Sequence, residues 1–289
     1  MTPRATSAPA IHPTALIDPK AKIADGVEIG PFCVIGPGAT LGAGTRLHNN
    51  VTILNRVTLG KKNEVFPHAV LGGKPQDLKY RGEDTDVVIG DQNTFREFVT
   101  VNIGTAGGGG TTRIGSNSLL MAGCHIAHDC EIGSSVVIAN NVLLAGHVKV
   151  EDHVGMSAYV GLHHFVTVGR HAFIGGFARV NTDVPPFMVV AGIPMGVVSI
   201  NSVGLRRRGF GDERLQALKD AHRLLWRSGL PKSEAIAILE QRYPQQEDVK
   251  SLIEFLRAID RGRSGRAREA QRGSGFPDPE EDAASGDGA

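Results

Sequence analysis

The sequence predicts an all-β solenoid, a left-handed parallel β-helix of hexapeptide repeats, followed by a C-terminal α-helical cap. Three observations lead to this fold class. Aliphatic residues recur at every sixth position, the 289-residue chain contains 37 glycines, and only 5% of its residues are aromatic. A period of six fits neither an α-helix nor a simple strand. It fits a short strand plus a turn, three of which close a coil of about 18 residues.

The repeated aliphatic residues form three runs in six-residue phase. They are Ile11, Ile17, Ile23, Ile29, Ile35, Leu41, Leu47, Ile53, Leu59, Val65 and Leu71; then Ile89, Phe95 and Val101; then Ile114, Leu120, Ile126, Ile132, Ile138, Leu144, Val150, Met156, Leu162, Val168, Ile174 and Val180. We expect these side chains to stack inside a narrow three-sided prism, which leaves little room for aromatic rings. A second inward position takes small residues. Cys33, Cys124 and Cys130 all occupy it, which predicts that they pack as small hydrophobic groups.

Two interruptions of the phase predict loops that leave the prism, at about residues 73–87 and 104–112. Loops that leave a solenoid often carry binding function. The expected organisation is a flexible N-terminus over 1–10, a β-helix over 11–190, an α-helical domain over 191–261 and a disordered tail over 262–289.

Helical periodicity replaces the hexads in the last third of the chain. Asp212 is the expected N-cap of a first helix, which ends before Gly229. A second helix is expected at about 233–242. A third follows Pro244 and extends through Ile259. The remaining tail is charged and rich in Gly and Ser, which is typical of disorder.

Composition excludes several classes of protein. The formal net charge is +1, from 31 Lys and Arg against 30 Asp and Glu, which argues against a globally basic nucleic-acid binder. No apolar run approaches the ~20 residues of a membrane-spanning helix. The N-terminus lacks the apolar core of a secretory signal, and three cysteines fit a reducing compartment better than a disulfide framework. We therefore expect a cytoplasmic protein that neither inserts into membranes nor binds nucleic acid.

Histidines are concentrated in the second half of the predicted β-helix, where the coil length provides a geometric test. Residues 18 positions apart are neighbours in successive coils. His128, Gly146 and His164 should therefore stack on one edge, and Asp129 should lie beside His147. In this register the His128 side chain points outward, away from the packed interior.

An outward imidazole beside a carboxylate suits acid–base chemistry on a substrate hydroxyl. Asp129 would orient His128 and stabilise its protonated form, while the other ring nitrogen takes the proton. The backbone N–H of Gly146 would bind a developing oxyanion. His125 and His163 lie nearby in the same wall. No serine or cysteine is placed as a nucleophile, which favours direct attack.

From the residues alone, two other classes of function stay open. Histidines stacked one coil apart, or brought together by neighbouring subunits, can form a three-histidine zinc site, as in trimeric hydratases of the carbonic anhydrase type with hexapeptide repeats. The prism can also be a non-enzymatic scaffold. The clustered histidines and the two loops argue against this last interpretation.

Five segments together resemble one acyltransferase family. They are GGKPQDLKYRGE (72–83), GTAGGGGTTRIG (104–115), HIAHDC (125–130), LLAGHV (143–148) and GLRRRGF (204–210). In this order they are similar to the cytoplasmic UDP-N-acetylglucosamine 3-O-acyltransferases, which catalyse the first step of lipid A biosynthesis. The likeness covers roughly residues 11–259. Generic sugar and serine acetyltransferases share the hexads but not these segments.

The resemblance implies a homotrimer with active sites between neighbouring prisms. An (R)-3-hydroxyacyl chain would pass from acyl carrier protein to the 3-hydroxyl of UDP-N-acetylglucosamine. The donor is carried on the phosphopantetheine of the carrier protein, so neither a cofactor nor a metal is expected on this chain. His128 matches the general base, Asp129 its orienting partner and the Gly146 backbone the oxyanion donor.

The resemblance also assigns binding positions. The residues that match substrate contacts are Gln76, Asp77, Lys79, His125, His147 and His163, together with Arg207 and Arg208 for the nucleotide phosphates. Gly176 matches the position that sets acyl length. A glycine there predicts a longer chain, of the tetradecanoyl kind, although bulky Phe177 and Arg179 lie close by in the sequence.

One departure concerns the acceptor. Where many family members read IHRGT, this chain reads VNIGT, so Asn102 and Ile103 replace a His-Arg pair. This leaves a 3-amino UDP-sugar open as the acceptor. The related UDP-3-O-acylglucosamine N-acyltransferase is a further alternative. It is disfavoured because no separate N-terminal domain precedes the hexads, and because QDLKY and the C-terminal helices match the O-acyltransferase.

Overall fold

The structure, a computed structural model, describes residues 8–54, 56–261 and 265–267. The strands in this part of the chain are mostly two residues long, and all but the last few pair in parallel with the strand three places later. Such pairing closes the chain into coils whose three strands belong to three different sheets. These sheets form the sides of a prism, as expected for hexapeptide repeats.

The strands are grouped here by side. The first side contains β1 (Ala10–Ile11), β4 (Glu28–Ile29), β7 (Arg46–Leu47), β10 (Glu64–Val65), β13 (Thr94–Phe95), β16 (Leu119–Leu120), β19 (Val137–Ile138), β22 (Gly155–Met156), β25 (Phe173–Ile174), β27 (Met188–Ala191) and β28 (Gly196–Ile200). The second side contains β2 (Leu16–Ile17), β5 (Val34–Ile35), β8 (Thr52–Ile53), β11 (Val70–Gly73), β14 (Thr100–Asn102), β17 (His125–Ile126), β20 (Leu143–Leu144), β23 (Gly161–Leu162) and β26 (Arg179–Val180). The third side contains β3 (Lys22–Ile23), β6 (Thr40–Leu41), β9 (Val57–Leu59), β12 (Asp86–Ile89), β15 (Thr111–Ile114), β18 (Glu131–Ile132), β21 (Lys149–Val150) and β24 (Thr167–Val168).

The register shows a coil of 18 residues with two insertions. Leu143 pairs with Gly161, 18 positions later. By contrast, Val70 pairs with Thr100 and Thr100 with His125, separations of 30 and 25 positions. The extra residues form two loops at the corner between the second and third sides. The first loop occupies residues 74–85, and the second occupies 103–110 and includes a short 3-10 helix, Ala106–Gly108.

The interior is a continuous column of aliphatic side chains. All three cysteines are buried in it, as predicted. Burial raises the pKa of Cys124 to about 11 and that of Cys130 to about 12. A thiolate is therefore strongly disfavoured at these positions, which agrees with a packing role.

The corners of the prism place one residue per turn in the left-handed backbone region. At the corner between the second and third sides these residues include Asp129, His147 and Phe165, with φ of 58°, 62° and 64°. The left-handed residue of each coil stacks over that of the next. The periodic backbone therefore brings polar side chains that are distant in sequence to one edge.

The end of the prism differs from the sequence expectation. Strand β28 lies within the region expected to be α-helical, where it pairs antiparallel with β27 and extends the first side. The described helices are α1 (Ser202–Arg207), α2 (Asp212–Trp226), α3 (Lys232–Arg242) and α4 (Glu247–Asp260). Neither β28 nor α1 was predicted from the sequence, because neither carries a hexad or a long helical period.

The start of α2 also corrects a prediction. Gly211 is the N-cap, and Asp212 is the first helical residue. Acidic residues are favoured throughout the first turn by the helix dipole, so the same residue type fits both positions. Apolar faces of α2 and α4 pack with Phe187 and Met188 from the end of the prism. No helix among the described residues is long and apolar enough to cross a bilayer.

The two ends of the chain are only partly described. The predicted flexible N-terminus lies outside the described residues except for 8–10, and β1 begins at Ala10. The predicted disordered tail lies outside them except for 265–267, which form one turn of 3-10 helix.

Candidate active site

The candidate site lies at the corner between the second and third sides, where the turns after β17 and β20 stack. The backbone N–H of His147 donates to the carbonyl of His128 at 3.0 Å. A Cβ atom at Gly146 would lie 2.5 Å from Cε1 of His128. The imidazole therefore covers Gly146, and only glycine fits beneath it. The predicted stack of His128 on Gly146 is present.

His128 and Asp129 form a close pair. Nδ1 of His128 lies 2.8 Å from Oδ2 of Asp129. The His128 side chain is 12% exposed and the Asp129 side chain is 0% exposed. The carboxylate is thus sealed behind the ring. Nε2 of His128 faces away from it, 4.0 Å from Oδ2 of Asp77 in the first loop.

Thr105 holds the Asp129 carboxylate from the second loop. Its backbone N–H donates to Oδ1 at 2.8 Å, and its hydroxyl donates to Oδ2 at 2.6 Å. The backbone N–H of Asp129 donates to the Thr112 hydroxyl at 2.8 Å. Burial alone would raise the pKa of Asp129. The hydrogen bonds from His128 and Thr105, with nearby His147, outweigh burial and hold the pKa below its usual value. The group is therefore a carboxylate at neutral pH.

The glycine run of the second loop closes the other face of this carboxylate. A Cβ atom at Gly108 would lie 2.1 Å from Cγ of Asp129. Sequence reasoning identified the run as a loop but missed the roles of Thr105 and Gly108. Their contacts depend on the path of an insertion that does not repeat. The available signal was a threonine followed by glycines beside the predicted site.

A cavity of about 470 Å³ opens beside His128. Its wall combines polar groups with an apolar strip. The polar side chains are Gln76, His125, His128, His163 and Arg179, and the apolar strip includes Leu143, Leu144, Leu162 and Val180. The structure thus brings three of the predicted binding residues to the predicted base. It adds Arg179, which sequence reasoning had not placed in the site.

His125 in the cavity wall and His147 behind His128 have defined partners. Nδ1 of His125 lies 2.7 Å from the Thr100 hydroxyl. Burial, with a smaller contribution from His128, lowers the pKa of His125. His147 stacks on Phe165 with ring centroids 4.4 Å apart, and its Nε2 lies 3.8 Å from Oδ2 of Asp129.

The first loop brings Asp77 to His128, and Lys79 lies in the same turn of this loop. Oδ1 of Asp77 accepts the backbone N–H of Lys79 at 2.9 Å, which fixes the turn. Lys79 itself is exposed. Tyr80 packs against the prism core and donates to the Glu83 carbonyl at 3.1 Å, which anchors the loop.

Arg207 and Arg208 are not brought to His128 within one chain. They line a separate cavity of about 640 Å³ on the outer face of the first side, with His153 and Asn201. Arg208 lies 2.7 Å from Nδ1 of His153. The two cavities share no lining residue.

Gly176 lies at the corner between the first and second sides. A Cβ atom there would lie 3.3 Å from the Ser157 hydroxyl and 3.4 Å from the Ala158 carbonyl. Gly176 is exposed and does not line the cavity beside His128.

The two residues that depart from the family pattern are buried next to the site. Asn102 is 5% exposed and Ile103 is 8% exposed. Thr100 pairs with His125, so Ile103 occupies the position of His128 one coil earlier. Oδ1 of Asn102 has no hydrogen-bond partner among the described residues.

The zinc alternative can be weighed on the same geometry. Within the described residues, His128, Asp129 and His147 place potential ligand atoms within 4.8 Å of one another. Two ligands of a tetrahedral zinc with bonds of ~2.0–2.1 Å lie about 3.3 Å apart. The 2.8 Å between His128 and Asp129 fits a hydrogen bond better. Both Asp129 oxygens also accept hydrogen bonds from Thr105.

Comparison with known proteins identifies the family of this chain. The family model for bacterial transferase hexapeptide repeats matches residues 9–43 and 111–146, and that for domain 2 of UDP N-acetylglucosamine O-acyltransferase matches 183–264. The acyl-(acyl-carrier-protein)–UDP-N-acetylglucosamine O-acyltransferase of Myxococcus xanthus is 52% identical over 252 residues, 87% of this chain and 98% of the relative. The enzyme of the same name from Anaeromyxobacter sp. is 49% identical over 253 residues, 88% of this chain and 98% of the relative.

Solved structures of the same family have the same fold as this chain. The UDP-N-acetylglucosamine acyltransferase of Bacteroides fragilis superposes with a TM-score of 0.83 at 38% identity, covering 86% of this chain and 96% of that one. The predicted fold, a left-handed parallel β-helix with a C-terminal helical cap, is thereby confirmed. The chain belongs to the acyl-(acyl-carrier-protein)–UDP-N-acetylglucosamine O-acyltransferase family.

Proposed function

We propose that this chain transfers an (R)-3-hydroxyacyl group from acyl carrier protein to the 3-hydroxyl of UDP-N-acetylglucosamine, the first step of lipid A biosynthesis, in the cytoplasm. The single observation that carries the proposal is the His128–Asp129 pair, 2.8 Å apart, at the edge of a cavity that also contains Gly146. The names of the relatives supply the two substrates.

His128 acts as the general base in this proposal. Asp129 is a carboxylate, so Nδ1 of His128 donates to it and Nε2 is left as the proton acceptor. Nε2 takes the proton of the sugar 3-hydroxyl while the oxygen of that hydroxyl attacks the thioester carbonyl carbon. The new C–O bond forms, the C–S bond breaks with its electron pair on sulfur, and His128 passes the proton to the departing thiolate, which leaves as a thiol. General-base action of this kind contributes typically ~10²–10⁴ in rate.

Gly146 supplies the oxyanion donor. The backbone N–H groups of Ala145 and His147 donate across coils, to Leu162 and His128. Within the described chain, the N–H of Gly146 donates to no backbone carbonyl. In this proposal the N–H of Gly146 therefore donates a hydrogen bond to the oxyanion of the tetrahedral intermediate. Removing one such donor typically lowers kcat by ~10²–10³-fold.

The cavity wall and the residues around it hold the substrates in this proposal. Gln76, Asp77, Lys79, His125, His147 and His163 are the proposed contacts with the acceptor and the acyl donor. The donor brings its own phosphopantetheine, so the reaction as proposed needs no cofactor on this chain. Gly176 is proposed to leave the acyl groove open for a chain of the tetradecanoyl kind, because glycine adds no side chain at this exposed position.

A homotrimer is part of the proposal, and the position of the arginines supports a site shared between chains. Because Arg207 and Arg208 line another cavity, they can reach the diphosphate of a nucleotide at His128 only from a neighbouring chain. Exposed apolar side chains support such assembly. Phe98, Tyr159 and Phe177, at the corner between the first and second sides, are 60%, 54% and 70% exposed.

A 3-amino UDP-sugar is the second candidate acceptor. Ile103 lies one coil before His128, where an arginine would place a permanent positive charge. An amine acceptor is partly protonated near neutral pH, so it is tolerated better beside an apolar side chain than beside a cation.

The test is a transfer assay with purified chain, both acceptors and a panel of (R)-3-hydroxyacyl carrier proteins of different chain lengths. Mass spectrometry of the product distinguishes an ester from an amide and gives the acyl length. His128→Ala should lose at least ~10²-fold in kcat, whereas His12→Ala, at an exposed residue of the first coil, should not. Near-wild-type turnover of folded His128→Ala contradicts the proposed base. Stoichiometric zinc in protein purified without added metal would favour the hydratase.

A further inference from the structure

We infer that Arg179 binds a phosphate group of a substrate, at the end of the cavity that is remote from His128. The inference rests on the proposed function, because that function supplies two phosphate-bearing substrates. Arg179 lines the cavity itself. It lies in none of the five family-like segments, and it matches none of the binding positions that the family resemblance assigns.

Arg179 is the last member of a row of outward-facing residues on the second side. Backbone pairing joins His125 to Leu143, Leu143 to Gly161 and Gly161 to Arg179. All four residues line the cavity. Arg179 therefore lies three strand spacings of ~4.8 Å, or about 14 Å, along the prism from β17, the strand that precedes His128.

The guanidinium of Arg179 has no partner within the part of the chain that the structure describes. It forms neither a hydrogen bond nor an ion pair there, and the residue is exposed. Guanidinium stays protonated at any pH at which the protein is folded, so its charge and its N–H donors are available to a ligand.

The position next to Arg179 explains this missing partner. Two cations at outward strand positions elsewhere in the prism pair with a carboxylate on the adjacent strand: Arg46 with Glu28 at 3.2 Å and Lys149 with Glu131 at 3.4 Å. On the strand adjacent to Arg179 the corresponding residue is Gly161, which has no side chain. Nothing lies within 4 Å of a Cβ atom placed at Gly161, so this part of the cavity is open.

Charge is distributed unevenly along the cavity. At one end, Asp129 is a carboxylate next to His128, and Oδ2 of Asp77 lies 4.0 Å from Nε2 of the same ring. None of the described residues that line the cavity is acidic, and Arg179 is the one among them with a permanent positive charge. An anionic group of a substrate is therefore repelled at the His128 end and attracted at the Arg179 end.

A phosphate is the substrate group that this guanidinium fits. The planar fork of N–H donors matches two phosphate oxygens at once. Two phosphates are available, the diphosphate of the nucleotide and the phosphodiester of phosphopantetheine. The diphosphate is attached to the sugar ring that carries the acceptor hydroxyl, so it stays close to His128. The whole pantetheine chain separates the phosphodiester from the thioester, so a separation of about 14 Å favours the phosphodiester.

The experiment uses the full chain and measures Kd for holo-acyl carrier protein, for the apo carrier that lacks phosphopantetheine, and for UDP. Wild type is compared with Arg179→Ala and with Arg179→Lys, which keeps the charge but not the fork. Arg113→Ala is the matched control, because Arg113 is exposed at an outward strand position of the third side and does not line this cavity. Size-exclusion chromatography and melting curves compare the assembly and stability of all variants.

We expect Arg179→Ala to weaken binding of the holo carrier about tenfold, with kcat changed less than about threefold. Binding of the apo carrier and of UDP should not change. Arg179→Lys should restore only part of the affinity, and Arg113→Ala should bind like wild type. Weaker binding of UDP instead of the holo carrier would also support a phosphate contact and would assign it to the nucleotide.

Wild-type affinity of Arg179→Ala for both the holo carrier and UDP overturns the inference. Equal weakening for the holo and apo carriers also overturns it, because Arg179 would then contact the carrier protein and not its phosphate. A changed preference for acyl length at unchanged affinities would make Arg179 a limit on the acyl groove. Failure of both Arg179 variants to assemble would make it an interface residue. Either result overturns the inference as well.

The two proposals fail separately. If wild type binds the holo carrier but forms no acyl product, and Arg179→Ala weakens that binding, the proposed function falls and the inference stands. If wild type forms product and Arg179→Ala binds normally, only the inference falls.

Discussion

Gly108 lies against the carboxylate of Asp129, with room for a hydrogen atom but not for a Cβ atom, which would come within 2.1 Å of Cγ. The second loop therefore seals the face of Asp129 that His128 does not cover. A hydrogen-bonded carboxylate shielded from water acts more strongly on its neighbour than an exposed one. The insertion in the repeat thus completes the charge arrangement behind the proposed base.

Gly108→Ala tests this relationship. We expect kcat to fall by roughly 10–100-fold, because the added methyl group must displace Asp129 or lift Thr105 from it. Gly107→Ala is the matched control, since nothing lies within 4 Å of a Cβ atom at this neighbouring position. Steady-state kinetics and melting curves of both variants check the prediction. Equal activity of the two would show that the seal has no catalytic role.

Gly146→Ala should remove activity for a different reason. Its Cβ atom would lie 2.5 Å from Cε1 of His128, so the ring must turn away from Asp129. We expect a loss of at least ~10² in kcat, the size of the general-base contribution. Gly161→Ala is the matched control. Gly161 lines the same cavity one strand away, and nothing lies within 4 Å of a Cβ atom placed there. It should change KM more than kcat.

The sequence predicted those parts of the site that follow the regular repeat. Coil length is constant between residues 111 and 180, so counting in steps of 18 correctly placed His128 over Gly146 and Asp129 beside His147. Counting fails across an insertion, because a loop path is set by packing and not by period. Thr105 and Gly108 were missed for this reason.

The remaining differences have the same physical origin. Strand β28 carries no hexad, since it pairs antiparallel at the end of the prism. The guanidinium of Arg266 contacts His163, and no period leads to this contact because Arg266 follows the last helix. Arg207 and Arg208 were expected at the nucleotide phosphates. The motif gave no information on which side of the prism they occupy.

The pH dependence of stability should report His171. Burial, followed by the nearby charges of His153, Arg208 and Arg170, lowers the pKa of His171 to about 4. An unfolded histidine titrates near ~6.5. The folded chain therefore binds fewer protons than the unfolded chain between these values, and the free energy of unfolding falls as the pH is lowered from ~6.5 to about 4.

His171→Phe should flatten this part of the profile. The substitution keeps an aromatic ring beside Phe187 and Phe210 and removes the titrating group. Urea unfolding measured at several pH values checks the expectation, with His12→Phe as a control at an exposed histidine. An unchanged slope in His171→Phe would assign the pH dependence to other groups.

Assembly of the active site from two chains can be tested by mixing inactive variants. His128→Ala lacks the proposed base, and Arg208→Ala lacks a proposed phosphate contact on the other cavity. If neighbouring chains share each site, chains mixed after unfolding and reassembly form some sites with both residues intact. For random mixing of equal amounts in a cyclic trimer, about a quarter of the sites are complete. The mixture should therefore recover up to that fraction of wild-type activity.

His128→Ala mixed with Asp129→Asn is the control and should recover nothing, because both residues belong to the same corner of one chain. Activity that stays at the level of the separate variants in the first mixture would place the whole site, including its phosphate contacts, within a single prism.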